Sequence, residues 1–153
     1  MIATSQDGSR LRDFRESDRT ACLALFDSNV PVHFLASERQ SFADFLENPS
    51  GKYYVLETER GEIVGCGGWY VDGAIAGLTW GIVDRAHQGR GLGRFLLAGR
   101  LGAIREDGRG KVARVRTTPA TRGFFERAGF AVVRIYVDDE LGNVPLVELT
   151  LPI

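Results

Sequence analysis

An alternating apolar run, IAGLTWGIV at 75–83, leads through VDRAHQ into a turn with glycine at 89, 91 and 93, and an apolar helical pattern follows. A strand delivered into a glycine-dense turn at a helix start confines the fold to a sheet with helices packed on it. It also leaves the unpaired N–H groups of a first helical turn, with their partial positive charge, free of obstructing side chains. Along the strand, alternation predicts Leu78, Trp80 and Ile82 on one face and Thr79, Gly81 and Val83 on the other.

The rest of the chain reads around this junction. SRLRDF has weak alternation and predicts a first strand. In ESDRTACLALFDSN, Ser17 or Asp18 can cap a helix that places Cys22, Leu25 and Phe26 at i, i+3 and i+4. Pro31 breaks it, and SERQ at 37–40 has capping-box form, with Ser37 at N-cap and Gln40 at N3. Phe42, Phe45 and Leu46 then form an apolar stripe, stopped by Pro49. KYYVLETERGEIVGCGGWY predicts a hairpin of strands 53–58 and 62–70, and the run 75–83 makes the third strand of a meander. After the glycine helix comes the strand KVARVRTT, then a helix capped by Thr118 with Pro119 at its first position. Gly129 suits a left-handed C′ position, and AVVRIYV and VPLVELTLPI close the chain. The order β-α-α-β-β-β-α-β-α-β-β predicts an α/β fold, a mixed sheet flanked by helices.

Three glycine-loop chemistries can be tested by spacing. GxxxxGK[ST] does not occur. A dinucleotide GxGxxG would need glycine at 94 or 96, where Arg94 and Leu96 stand. What remains is Gln88-x-x-Gly91-x-Gly93 between a strand and a helix. Helix-terminal donors, small residues and the surrounding Arg85, Arg90 and Arg94 suit a diphosphate.

This junction resembles that of the GNAT N-acetyltransferases, whose Q/R-x-x-G-x-G/A pattern QGRGLG matches. TTPATRGFFERAGF is similar to the family's later helix, which ends in aromatic-E-x-x-GF. The resemblance extends from about residue 10 to 151. It implies a six- to seven-stranded, mostly antiparallel sheet with a central parallel splayed pair and about four flanking helices, in a single domain spanning 1–153. It implies that acetyl-CoA donates an acetyl group to a primary amine, by direct attack in a ternary complex. By position, Ile82, Val83 and Asp84 would face the pantetheine and the acetyl carbonyl. Gln88, Gly89, Arg90, Gly91, Leu92, Gly93 and Arg94 would hold the phosphates. Thr117 to Phe125, including Phe124, would border the far wall.

The chain departs from the family pattern at two chemical positions. The tyrosine that many relatives use to protonate the leaving thiolate is replaced by Phe125, and the glutamate of some relatives falls in the stretch GLT at 77–79. No catalytic residue is therefore assigned. Glu57, Asp84, His87, Thr117 and Tyr136 are substitutes to test. His33 is a candidate acceptor contact, and Phe34, Trp69, Tyr70, Trp80 and Phe124 are candidate pocket aromatics. The segment 28–50 and the loop 137–143 are expected to shape the acceptor pocket. An acyl-CoA-binding module without turnover is the alternative that Phe125 motivates.

Composition limits partners. The net charge is −1 over 153 residues, so no global field favours nucleic acid or an anionic membrane. Two cysteines, Cys22 and Cys66, form no CxxC pair and read as core residues, and no metal site is expected. With no apolar leader or spanning run, a cytoplasmic protein is expected, binding a small-molecule or peptide amine. The family also allows a homodimer.

Overall fold

A computed structural model describes residues 4–5, 7–139 and 142–153. Glu140 and Leu141 of the 137–143 loop lie outside the described residues. Seven strands form one sheet: β1 (Arg10–Asp13), β2 (Lys52–Glu57), β3 (Ile63–Asp72), β4 (Ile75–Val83), β5 (Val112–Thr117), β6 (Ala131–Asp138) and β7 (Val144–Pro152). Their spatial order is β1-β2-β3-β4-β5-β7-β6. All neighbours are antiparallel except β4 and β5. Four α-helices flank the sheet: α1 (Arg19–Ser28), α2 (Arg39–Glu47), α3 (Leu92–Asp107) and α4 (Pro119–Arg127).

Strand alternation sorts the helices onto two faces. Tyr53 and Val55 turn toward α1 and α2, where Cys22, Phe26, Phe42 and Leu46 join Cys66 and Ile82 in one core. Leu56 turns the other way, to Leu92 and Leu96 of α3. Further along α3, Leu97, Leu101 and Ile104 share a core with Ala113, Val115, Leu149 and Phe125 of α4.

Two local expectations change. Leu78 packs with the α3–α4 core, whereas Trp80 and Ile82 pack with α1 and α2. Ile82 pairs with Cys66 and Thr79 with Gly68, so Trp80 and Gly81 oppose Gly67 alone. This bulge inserts one residue and reverses the alternation beyond it. Trp80 takes φ 34° at the bulge. The α2 start also moves: Ala36–Glu38 form a 3₁₀ turn, and the Glu38 carboxylate accepts the Leu35 N–H at 2.8 Å. Gln40 instead donates to Asp44 at 2.8 Å. Glutamate three residues after Leu35 competes for that role, and its carboxylate is the stronger acceptor.

Candidate functional site

The parallel pair is joined only where Ile75, Ala76 and Gly77 meet Val112, Ala113 and Arg114. Beyond Gly77 the two strands separate, so β4 from Leu78 and β5 from Val115 turn unpaired edges toward each other. The bulge at Trp80–Gly81 bends β4 away at this point. A cleft of about 1180 Å³ opens in the gap, bordered by α3 and α4 and reaching the α1–α2 connection. It is large enough for an extended ligand arm and a second small molecule.

The glycine turn forms one end of the cleft. A 3₁₀ turn at Arg85–His87 leads to Gln88 in extended backbone. Gly89 and Gly91 follow with φ of 83° and 79°, and Gly91 is the N-cap of α3. A side chain at 89 or 91 would meet no atom within 4 Å, so these glycines are required by backbone conformation and face open space. Gly93 has a different reason: a Cβ there would come within 3.3 Å of the Phe124 ring. Among the described residues, nothing accepts from the N–H groups of residues 89–94. An open cradle with free donors is what a diphosphate requires.

The predicted residues divide sharply in this geometry. Gly89, Gly91, Gly93, Arg94 and Phe124 line the cleft, as do Ile82, Val83 and Gln88. The Gln88 side chain, however, turns inward. Its amide donates to Asn29 Oδ1 at 2.8 Å and to the Val83 carbonyl at 3.1 Å. Asn29 in turn donates to Val83 O and Leu25 O, both at 2.9 Å. Gln88 thus ties the glycine turn to the end of α1, and its own backbone and the turn face the cleft. Asp84 points elsewhere: its N–H reaches Val64 O at 2.8 Å and its carboxylate holds His87 Nδ1 at 2.6 Å. Leu92 is buried in the core and offers only backbone. Arg90 does not line the cleft; it borders a second pocket with Ser5 and Asp7, on the other side of Gly91 and Arg94.

Among the substitute acid–base residues, Thr117 lines the cleft and its hydroxyl bonds that of Thr121. Glu57 is held on the β1–β2 edge by Arg10 and Arg12. Tyr136 lies on β6 under the Arg134 guanidinium. Phe125 is buried between Phe124 and Phe130 and donates nothing. Phe34, Tyr70 and Trp80 line the cleft, whereas Trp69 is core and donates to the Tyr54 hydroxyl at 3.0 Å.

The buried polar groups without partners carry the strongest signal. Among the described residues they are Arg19 Nε, His33 Nδ1, Thr79 Oγ1, Arg100 Nε and Thr118 Oγ1. All but Arg19 line the cleft. Buried polar atoms are almost always paired, so four orphans around one cavity mark a place where a ligand supplies partners. Thr118 falls within the Thr117–Phe125 stretch expected at the far wall, whereas Thr79 and Arg100 were missed from sequence. Polar residues on a strand and a helix face give no signal of their own until the splay brings them together.

The sequence profile described as an acetyltransferase (GNAT) domain matches residues 49–132, over half of the chain. The chain belongs to the GNAT acetyltransferase family. Solved structures with this fold include a ribosomal-protein-alanine N-acetyltransferase from Brucella melitensis. It is 20% identical with a TM-score of 0.71, covering 94% of this chain and 99% of that one. A GNAT-family acetyltransferase from Staphylococcus aureus has a TM-score of 0.76 at 14% identity, covering 94% and 98%. A spermidine N-acetyltransferase variant from Vibrio cholerae has a TM-score of 0.72 at 14% identity, covering 94% and 93%. No curated protein sequence matches the chain. Among the described residues no helix is long and apolar enough to cross a membrane, and no cluster of three metal-ligating side chains occurs.

Proposed function

We propose that this protein transfers an acetyl group from acetyl-CoA to a primary amine by direct attack in a ternary complex. The observation that carries the reading is the cleft at the β4–β5 splay, with a donor-rich glycine cradle at one end and unpaired polar atoms along it. The free N–H groups of the Gly89–Arg94 turn and the Arg94 guanidinium hold the diphosphate. The open edge of β4 beside Ile82 and Val83 lies along the pantetheine arm. When bound, the thioester supplies an activated carbonyl carbon. A backbone N–H at the splay stabilises its oxygen as charge develops.

The amine approaches between α1, α2 and the bulge. There His33 presents an unpaired Nδ1 beside Phe34 and Trp80. We assign His33 to receive the amine's proton. With Phe125 in place of a hydroxyl donor, the thiolate leaves unprotonated and takes its proton from water. Holding the two reactants within reach supplies much of the acceleration.

Thermal melting with and without acetyl-CoA tests the binding half. Saturation stabilises the fold by RT ln(1 + [L]/Kd), so no shift at millimolar ligand overturns it. Thiol release over a panel of small amines and peptides tests turnover. The apolar surroundings of Phe125 favour a second reading, an acyl-CoA-binding module that melts higher with ligand but releases no thiol with any amine.

A further inference from the structure

Arg100 has no part in holding phosphate or taking the amine's proton, yet it is the most deeply buried charge of the cleft, 4% exposed. It projects from the middle of α3 against the β4 bulge. A Cβ on Gly81 would lie 2.8 Å from its Nη2, and one on Gly67 would lie 3.3 Å from its Nε. The two glycines therefore make the space that the guanidinium fills. Against its five N–H donors stands one long bond, Nη1 to Gly68 O at 3.4 Å, and Nε is buried without a partner. No carboxylate of the described residues pairs with it. Tyr53, close by, is a neutral phenol that donates to Trp80 O at 2.8 Å. Burial pushes the Arg100 pKa down only to about 10, so the side chain stays cationic at neutral pH.

We propose that Arg100 reads the acyl group of the donor, and that the preferred donor is a coenzyme A thioester whose short acyl chain ends in a carboxylate, as in a succinyl group. The inference rests on the coenzyme A reading above and narrows its acyl group. A buried, underbonded guanidinium calls for a full anion with two acceptor oxygens, which a carboxylate supplies in bidentate form. Its position selects the donor over the acceptor. Arg100 lies on the α3 face of the sheet, whereas the amine approaches from the α1–α2 face. Eight residues separate it from Leu92, about 12 Å along the helix axis, which places it at the thioester end of the arm and away from the diphosphate. In the transfer, the acceptor nitrogen bonds to the carbonyl carbon and the C–S bond breaks. The electron pair leaves with the CoA thiolate, and the nitrogen's surplus proton passes to His33. The terminal carboxylate remains ionised on Arg100, and nothing is oxidised or reduced.

Calorimetric titration of the full chain with succinyl-CoA, butyryl-CoA and acetyl-CoA, with no amine present, tests the proposal. Succinyl-CoA is expected to bind at least about tenfold tighter than butyryl-CoA, which matches its length without its charge. In Arg100→Met that ratio falls to about one, and Arg100→Lys retains part of it. Equal affinities in the unaltered protein overturn the proposal, as does a preference that persists in Arg100→Met. The ratio in the unaltered protein needs no variant to fold. If acetyl-CoA and butyryl-CoA bind without a succinyl preference, this proposal alone falls. If none of the three binds, the coenzyme A reading falls with it.

Discussion

Two arginines of this domain are withdrawn from solvent, Arg12 in part and Arg100 almost completely, and they are treated in opposite ways. Arg12 on β1 is enclosed by acceptors. Its two terminal nitrogens donate to Asp18 at 2.8 Å each, and its Nε donates to Glu57 at 3.1 Å. These partners raise its pKa, with Asp18 the larger influence. Arg100 has one long backbone bond, and desolvation lowers its pKa. A fully paired cation is a structural element, joining the β1–β2 edge to the turn before α1. An underpaired one is a cost that the fold carries, and the proposed acyl carboxylate would offset it.

Breaking the paired corner is expected to have the largest effect. Asp18→Asn removes the charge of a buried carboxylate and leaves the half-buried Arg12 guanidinium with Glu57 alone; it is expected to cost about 2–3 kcal/mol, read as a fall in the urea midpoint. The unpaired cleft is expected to answer in activity instead. His33→Ala is expected to lower kcat on the order of 10²-fold, with the urea midpoint almost unmoved. An unchanged kcat removes His33 from its assigned role. Gly91→Val is expected to cost about 1–2 kcal/mol, because a branched residue is forced to φ 79°. It should also abolish the acetyl-CoA melting shift, and a variant that still shifts would dissociate the turn from the diphosphate. The smallest change belongs to Arg100→Met without ligand, within about 1 kcal/mol of the unaltered protein or more stable. A loss as large as that of Asp18→Asn breaks the contrast between the two arginines.

Acid sharpens the same contrast. The Arg12 guanidinium, with help from the Arg15 N–H, holds the Asp18 carboxyl below its ordinary value of 3.8. A carboxylate depressed in the folded state contributes stability that is whole above that value and is lost as pH falls below it. The gap between the unaltered protein and Asp18→Asn should therefore stay constant at neutral pH and close in acid. Urea midpoints measured across that range check it.

Much of the architecture was legible because its signals are local. The meander, the strand–glycine–helix junction, Pro119 at the first position of α4 and Gly129 after it follow from spacing and turn chemistry between near neighbours. The three glycines form one turn at the start of α3, although their reasons differ. Two need a positive φ facing open space, and the third makes room for Phe124. The bulge was not legible. Alternation through Trp80 looks unbroken in sequence, and the extra residue is visible only when β3 is laid beside β4. Gln88 illustrates a second limit. Its place in the motif was evident, but not that its amide turns inward to Asn29, 59 residues earlier in the chain.

The sequence by itself determined the family, the order of elements and the glycine turn that opens α3, since each rests on residues within a few positions of one another. Only the tertiary structure decided which polar groups the cleft would leave unpaired. His33, Thr79, Arg100 and Thr118 come from a loop, a strand, a helix face and a cap, and their meeting depends on where β4 and β5 part. Whether a buried charge is a strut or a site depends on which acceptors surround it, and those are set by contacts distant in sequence. Arg12 and Arg100 show no difference of that kind in the chain itself; the sheet register and the bulge create it.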